Sequence, residues 1–296
     1  MQSEYPLKRP TNISIAIPAS LVSDIPHLRE KTLRIGLIGR ALAIFRVNEI
    51  IVYPDIQSQN QKRDAALIET ILSYMETPQY LRRRLFKIRP ELHYVGILPP
   101  LRTPHHTTQN REKDLKIGEY REGVVISSNE RGINVDIGVE RYIFVPNVRV
   151  KNNSRVTVRI REKGKHLVGE LADPNEIKVY WGYKVTVSNF TLGQIMKGQN
   201  YDLIIATSRH GDPIMKIVDE LLDRWRKSRR VLIAFGSPTR GLQEILRDEG
   251  IKLERASHFV INTVPNQGVK TVRTEEALYA TLSIPVSYTH LTLPTN

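Results

Sequence analysis

The chain has 296 residues, 44 of them Lys or Arg against 31 Asp or Glu, for a formal net charge of +13. That length suits about two domains, an apolar share of 40% excludes a disordered polar chain, and the basic surplus points to a polyanionic partner, nucleic acid first. Cysteine is absent, which removes disulfides, thiolate metal centres and thiol nucleophiles together; with no apolar run near the roughly 18 residues of a membrane span and no apolar leader-like stretch in Met1–Pro10, the expectation is a soluble cytoplasmic protein without membrane association.

In chain order, Asn12–Ile17 alternates as a strand does. Glu30–Phe45 sets Ile35, Ile38, Leu42 and Phe45 at helical spacing. Glu49–Tyr53 is a short apolar run ended by Pro54, as expected of a buried strand. Lys62–Met75 is helical, with Ala65, Ile68, Ile71, Leu72 and Met75 on one face, and Tyr80–Ile88 is a second helix carrying Arg82, Arg83 and Arg84. Three prolines then interrupt Pro99-Pro100-Leu101-Arg102-Thr103-Pro104-His105-His106, which excludes regular structure there. Between Gly118 and Glu170 the period becomes two. Five short strands are expected, at Glu119–Ser127, Gly132–Ile137, Arg141–Val145, Arg155–Arg161 and His166–Glu170, separated by turn residues. They suit a small barrel, OB-like first and SH3-like as the alternative. From Ile177 the α/β alternation resumes, with strands at Lys178–Val187, Asp202–Ala206, Val231–Phe235 and His258–Ile261. Helices are expected at Pro213–Trp225, at Gly241–Glu249 and from Thr274. The expected organisation is a discontinuous α/β domain, residues 1–108 and 172–284, interrupted by a barrel at 109–171. The uncharged stretch 285–296 has neither period, reads as an atypical tail foreign to the domain, and is left out of the functional argument.

Several familiar sites have no support. No Gly-x-Gly-x-x-Gly, P-loop or Gly-x-Ser-x-Gly motif is present. His105-His106 is the one His pair, and adjacent residues on an extended segment face opposite ways, so no metal is expected. What remains are three turns, each following a buried strand of the C-terminal region: Ala206–Pro213, Phe235–Leu242 and Asn262–Ala277. In open α/β sheets ligands bind beyond the carboxyl ends of strands. Each of the first two turns alone is as readily an ordinary connection. The third is long, carries Pro265 and Gly268, and opens a helix through Thr274 with Glu275 and Glu276 in its first turn.

Asn262-Thr-Val-Pro-Asn-Gln-Gly-Val-Lys-Thr-Val-Arg-Thr-Glu-Glu-Ala277 closely resembles the knotted segment of SPOUT-superfamily RNA methyltransferases, in particular the archaeal and eukaryotic branch described as RNA uridine N3 methyltransferases. Phe235-Gly-Ser-Pro-x-x-Gly-Leu242 matches that branch's second cofactor loop. Leu98–His106 and Arg121–Val125 look like its barrel entry, and Tyr180-Trp-Gly-Tyr183 like its barrel exit. The resemblance covers nearly all of Asn12–Ile284. It implies a knotted α/β domain interrupted by an OB-like barrel, a homodimer whose sites the partner completes, and S-adenosylmethionine held in a bent form by backbone groups of the three loops. The cofactor residues would be Thr207 and Ser208 on the first loop. Gly236, Ser237 and Gly241 would serve on the second, and Val264, Pro265, Gln267, Gly268, Val272 and Thr274 on the third. Gly36-Leu-Ile-Gly-Arg40 resembles the turn that presents an arginine to the active site in ribose-methylating relatives. It makes Arg40 the candidate catalytic residue, supplied across a dimer; the alternative is a solvated helix residue.

An RNA substrate fits the charge. Candidate phosphate contacts are Arg82, Arg83 and Arg84 on one helix, Arg155, Arg159 and Arg161 on one barrel strand, and Arg209 and Arg273 beside the loops. Tyr120, Tyr142 and Phe144 could stack bases. Glu275 is either a proton acceptor or a partner of its helix dipole. The function expected is methylation of a uridine base, at N3, in ribosomal RNA. The alternative is a non-catalytic RNA-binding or ribosome-assembly factor that keeps the fold as a scaffold.

Overall fold

Seven residues with no side chain exposed past the first, Asn12–Pro18, make strand β1. Such a run belongs in a parallel sheet covered on both faces. The computed structural model describes residues 7–288 except 57, 174 and 199. The chain divides into two compact units, one taking Arg9–Ser73, Glu91–Pro100 and Tyr183 onward, the other Tyr74–Pro90 and Leu101–Gly182 together with Leu7 and Lys8.

In the α/β unit, β1 is followed by α1 (Leu28–Ile44), β2 (Glu49–Tyr53) and α2 (Lys62–Glu76). After the second unit come β8 (Lys184–Val187), α4 (Leu192–Gly198), β9 (Leu203–Pro213), α5 (Ile214–Lys227), β10 (Arg230–Ala234), α6 (Leu242–Asp248), α7 (Leu253–Ala256), β11 (Phe259–Asn262) and α8 (Thr274–Tyr288). The strands form one six-stranded sheet in the order β11-β9-β10-β1-β2-β8, and every pairing is parallel. Ile13, Ile15 and Ile17 of β1 and Ile50 and Val52 of β2 are wholly buried. The expected apolar faces of α1 and α2 are buried through Ile35, Ile38 and Leu42 and through Ile68, Ile71 and Leu72. On α5, Ile214, Leu221, Leu222 and Trp225 are buried, whereas Ile217 and Val218 are only half-buried.

In the second unit, α3 (Gln79–Leu85) precedes β3 (Tyr120–Asn129), β4 (Gly132–Asp136), β5 (Ile143–Pro146), β6 (Arg155–Glu162) and β7 (Val168–Leu171). These five strands close into a barrel in the order β3-β4-β5-β7-β6, sealed by the β3–β6 pairing. β5 meets β7 in parallel, and the other pairings are antiparallel. This Greek-key order is the OB type, which decides between the two barrels the period allowed. Val125, Ile133, Val135, Ile143, Val158 and Ile160 fill its interior.

Several boundaries differ from expectation. The expected helix at Tyr80–Ile88 ends at Leu85, because Phe86 turns extended and packs its ring 5.3 Å from Tyr74. The expected strand at Lys178–Val187 is confined to Lys184–Val187. Gly182 breaks it with φ +95°, and a Cβ there would lie 2.5 Å from Glu76 Oε1 and 2.6 Å from His105 Cε1; only glycine allows both. α8 extends through Tyr288, so the first residues of the stretch set aside as a tail are helical, and 289–296 fall outside the described residues. Arg273, not Thr274, caps α8: its carbonyl accepts from Ala277 N–H, and Glu276 Oε2 returns to its N–H at 2.8 Å. Among the described residues no helix is long and apolar enough to cross a membrane.

Candidate cofactor site

β9, β10 and β11 are neighbours, and their carboxyl ends lie on one edge of the sheet. The first turn is an excursion within β9 rather than a break after it. β11 pairs Val260 with Ala206 and then Ile261 with Asp212, which leaves residues 207–211 out of the ladder. Thr207 Oγ1 donates to Ala234 O (2.9 Å), His210 N–H to Ser208 Oγ (3.1 Å), and Asn262 Nδ2 to Arg209 O (2.8 Å). Gly211 lies against β11 so closely that a Cβ would sit 2.6 Å from Val260 O. The second loop begins where the buried Tyr53 hydroxyl donates to Phe235 O at 2.7 Å. Burial holds that phenol well above its usual pKa, so it remains a donor. Ser237 and Arg240 close the loop through Ser237 N–H to Arg240 O (2.9 Å) and Arg240 N–H to Ser237 Oγ (3.0 Å). The Arg240 guanidinium donates to Asp55 O and pairs with Asp248. In the third loop Val264 N–H donates to Asn262 Oδ1 (3.0 Å), and Gln267 Nε2 to Val269 O (2.8 Å).

The three loops surround one cavity of about 580 Å³, within the size range of small-molecule sites. Of the residues the resemblance assigns to the cofactor, all but Pro265 and Gly268 line it. Its walls are mixed: Phe235, Leu242, Ile261, Val264, Val272 and Ala277 are apolar, and hydroxyls, loop backbone and polar side chains such as Arg209, Arg240 and Gln267 supply the rest. The hydroxyls of Thr207, Ser208 and Ser237 are already engaged in holding their own loops. Ligand contacts are left to backbone groups, apolar walls and the charged and amide side chains of the lining. A Cβ on Gly241 meets no atom within 4 Å, so that glycine leaves space that a ligand can use. This is the donor set expected for S-adenosylmethionine, with polar ends and an adenine to bury. A Cβ on Gly268 likewise meets nothing, so nothing in the protein itself requires glycine there.

Arg40 does not line the cavity. It is half-buried on α1 and donates to Pro100 O at 2.7 Å. Glu275 also lies elsewhere: with Arg273 it borders a second hollow beside Arg34, whose Nε is 3.5 Å from Glu275 Oε1. Arg209 lines the cavity and donates to His210 Nε2 at 3.0 Å.

In the barrel unit the six arginines are not equivalent. Arg82 is turned back on its own unit, donating to Thr77 O and Met75 O and lying 4.6 Å from the Tyr74 ring centroid. Arg155 is answered by two carboxylates, Glu76 at 2.5 Å and Glu122 at 2.6 Å. Those partners push its pKa up despite its burial, and against the burial of Glu76 itself His105 and Arg155 hold that carboxyl below the usual carboxylate range. Arg84 pairs with Asp136 (2.6 Å) and Arg161 with Glu170 (2.5 Å), both half exposed. Arg159 stands over the Tyr120 ring at 5.6 Å, and Arg83 is exposed. His105 and His106 both direct Nε2 at Glu76 O; among the described residues no group of three or more His, Asp or Glu could hold a metal ion. Sequence reasoning missed His210, Arg240 and Lys270 in the cavity lining. All three sat at unassigned positions inside the three loops the sequence singled out: His210 in the first, Arg240 in the second and Lys270 in the third.

Residues 12–284 match the family described as "Putative RNA methyltransferase". An uncharacterized protein of Haloarcula marismortui is 33% identical over 283 residues, covering 91% of this chain and 97% of that one. The 28S rRNA (uridine-N(3))-methyltransferase of Homo sapiens is 30% identical over 309 residues, covering 93% of this chain and 78% of that one. Its Drosophila melanogaster namesake is 32% identical over 312 residues, 93% of this chain and 61% of that one. With the match spanning nearly the whole chain, and three loops around one cavity at the sheet edge, this protein belongs to that RNA methyltransferase family.

Proposed function

We propose that the protein is an S-adenosylmethionine-dependent methyltransferase that acts on N3 of a uridine in ribosomal RNA. The observation that carries this reading is the convergence of the loops after β9, β10 and β11 on a single cavity. Relatives named as 28S rRNA uridine-N3 methyltransferases suggest the nucleotide and the atom. The donor, when bound, supplies an electrophilic methyl group. The loop backbones orient it, and Leu242, Val264 and Val272 keep water from it. A cation near the uridine would stabilise the anion left when N3 loses its proton. Arg40, held at Pro100 O outside its own chain's cavity, serves that role only from a second protomer. The reading therefore includes a homodimer, and with it the knotted threading of the third loop. A ribosomal RNA substrate and a cysteine-free chain both suit a reducing cytoplasm.

Calorimetric titration with S-adenosylmethionine tests the site. Binding by the wild type and its loss in a folded Gly241→Leu variant support the cavity as the cofactor site. Absence of binding by the wild type would favour a scaffold that only binds RNA.

A further inference from the structure

Six non-glycine residues among those described hold left-handed backbone: Arg46, Arg102, Asn147, Asn153, Asn200 and Asn266. Asparagine tolerates that region, so four need no special account. Arg46 follows the end of α1, where its N–H bonds Ala43 O and Val47 N–H bonds Leu42 O, each at 3.0 Å. That helix ending calls for a left-handed residue. Arg102, at φ +52°, has neither justification. Its neighbours Leu101 and Thr103 are buried, at 5% and 6% exposure, while Arg102 itself is exposed. Its guanidinium forms no hydrogen bond or ion pair with any described residue. The same stretch leaves Thr103 Oγ1 and His105 Nδ1 buried without hydrogen-bond partners among the described residues.

Glycine or asparagine would meet this backbone requirement with less strain, yet the position carries a long, exposed cationic side chain without a hydrogen bond or ion pair among the described residues. Strain of this kind persists where the surroundings over-determine it, here through Pro99, Pro100 and Pro104 and two anchored neighbours, and it concentrates at ligand-contacting positions. We propose that Arg102 is a contact for an RNA phosphate, its guanidinium presented by a strained backbone in the segment that leads into the barrel. A planar guanidinium suits bidentate phosphate binding, and the chain's charge of +13 favours an anion. The proposal rests on the RNA-methyltransferase reading for the identity of that anion.

The test compares full-length wild type with Arg102→Gly and Arg102→Asn, both of which relieve the backbone strain. Affinity for a fluorescein-labelled oligouridine is measured by anisotropy across a potassium chloride series, with thermal melting alongside. The expected result is weaker binding by both variants, a salt slope shallower by about 0.7, the value for one phosphate contact on a single strand, and melting temperatures equal to or above that of the wild type. Arg102→Lys keeps the charge and is expected to keep the slope. An unchanged slope in the two neutral variants would overturn the proposal. So would a fall in their melting temperatures, since it would make the side chain structural. A wild type that does not bind the RNA at all would overturn the methyltransferase reading and this proposal with it.

Discussion

Gly241 is the residue on which the cofactor site can be tested most cleanly. It caps α6 with extended backbone (φ −75°, ψ 162°) that any residue adopts, and a Cβ there has open space. A leucine at 241 should therefore fold as the wild type does and fill part of the cavity. Cofactor affinity is expected to fall about tenfold or more, which is about 1.4 kcal/mol at least, at unchanged melting temperature. Gly268, the more conspicuous glycine in the sequence, is a poorer choice because it does not line the cavity. Arg40 separates along a different axis. If it stabilises charge in the methylated base, Arg40→Ala should lower kcat by a factor of about a hundred with cofactor affinity unchanged. If instead it only anchors Pro100 to α1 through its 2.7 Å hydrogen bond, the variant should lose stability and keep its turnover per folded molecule.

At the scale of elements, most of the sheet and the barrel were legible because their residues obey one period each. β1 and β2 are continuous apolar runs, and the five barrel strands alternate, so each was anticipated to within about two residues. α4 and α7 were not: α7 has only four residues, and α4 carries two glycines, Gly193 and Gly198, in its seven. The excursion at 207–211 looked like a turn because the strand ladder resumes only at Asp212. No local signal marks a strand that leaves its partner and returns. The charge of Arg155 was equally hidden: its partner Glu76 lies 79 residues away in sequence.

The Leu101–His106 segment carries a pH-dependent element of stability. Burial, reinforced by His105, lowers the His106 pKa from 6.5 to about 4. Between those values the unfolded chain binds a proton that the folded chain excludes. Folding stability therefore rises with pH across that window and is lost on acidification through it, by on the order of 3 kcal/mol. Urea unfolding at several pH values should show this slope in the wild type, and His106→Gln should flatten it. An equally steep slope in the variant would assign the effect to other groups.

For the whole molecule, the reading requires two chains. Light scattering should give about twice the 34.0 kDa of one chain, and mixing two impaired variants tests whether sites are shared. Arg40→Ala and Gly241→Leu protomers, mixed under conditions that exchange subunits, form dimers in which one site has both an intact cavity and the partner's Arg40. Recovered methylation supports a shared site, whereas a mixture no more active than its parents would confine each site to one chain. The barrel's place in the unit was only partly legible. Its strands lie inside residues 109–171, but the compact unit also takes in Tyr74–Pro90 and Leu101–Gly182. Removing 109–171 alone would strip Glu76 of Arg155 and Trp181 of the Glu122 carboxylate it bonds at 2.6 Å.

The central claim is that the three-loop cavity supports uridine methylation, and its most direct test is nucleoside mass spectrometry. Ribosomal RNA lacking the modification is incubated with S-adenosylmethionine and either wild type or Gly241→Leu, then digested and assayed for 3-methyluridine. The account predicts 3-methyluridine from the wild type and, at subsaturating S-adenosylmethionine, about tenfold less or lower still from the folded variant. Equal yields from the two, or none from the wild type, would contradict it.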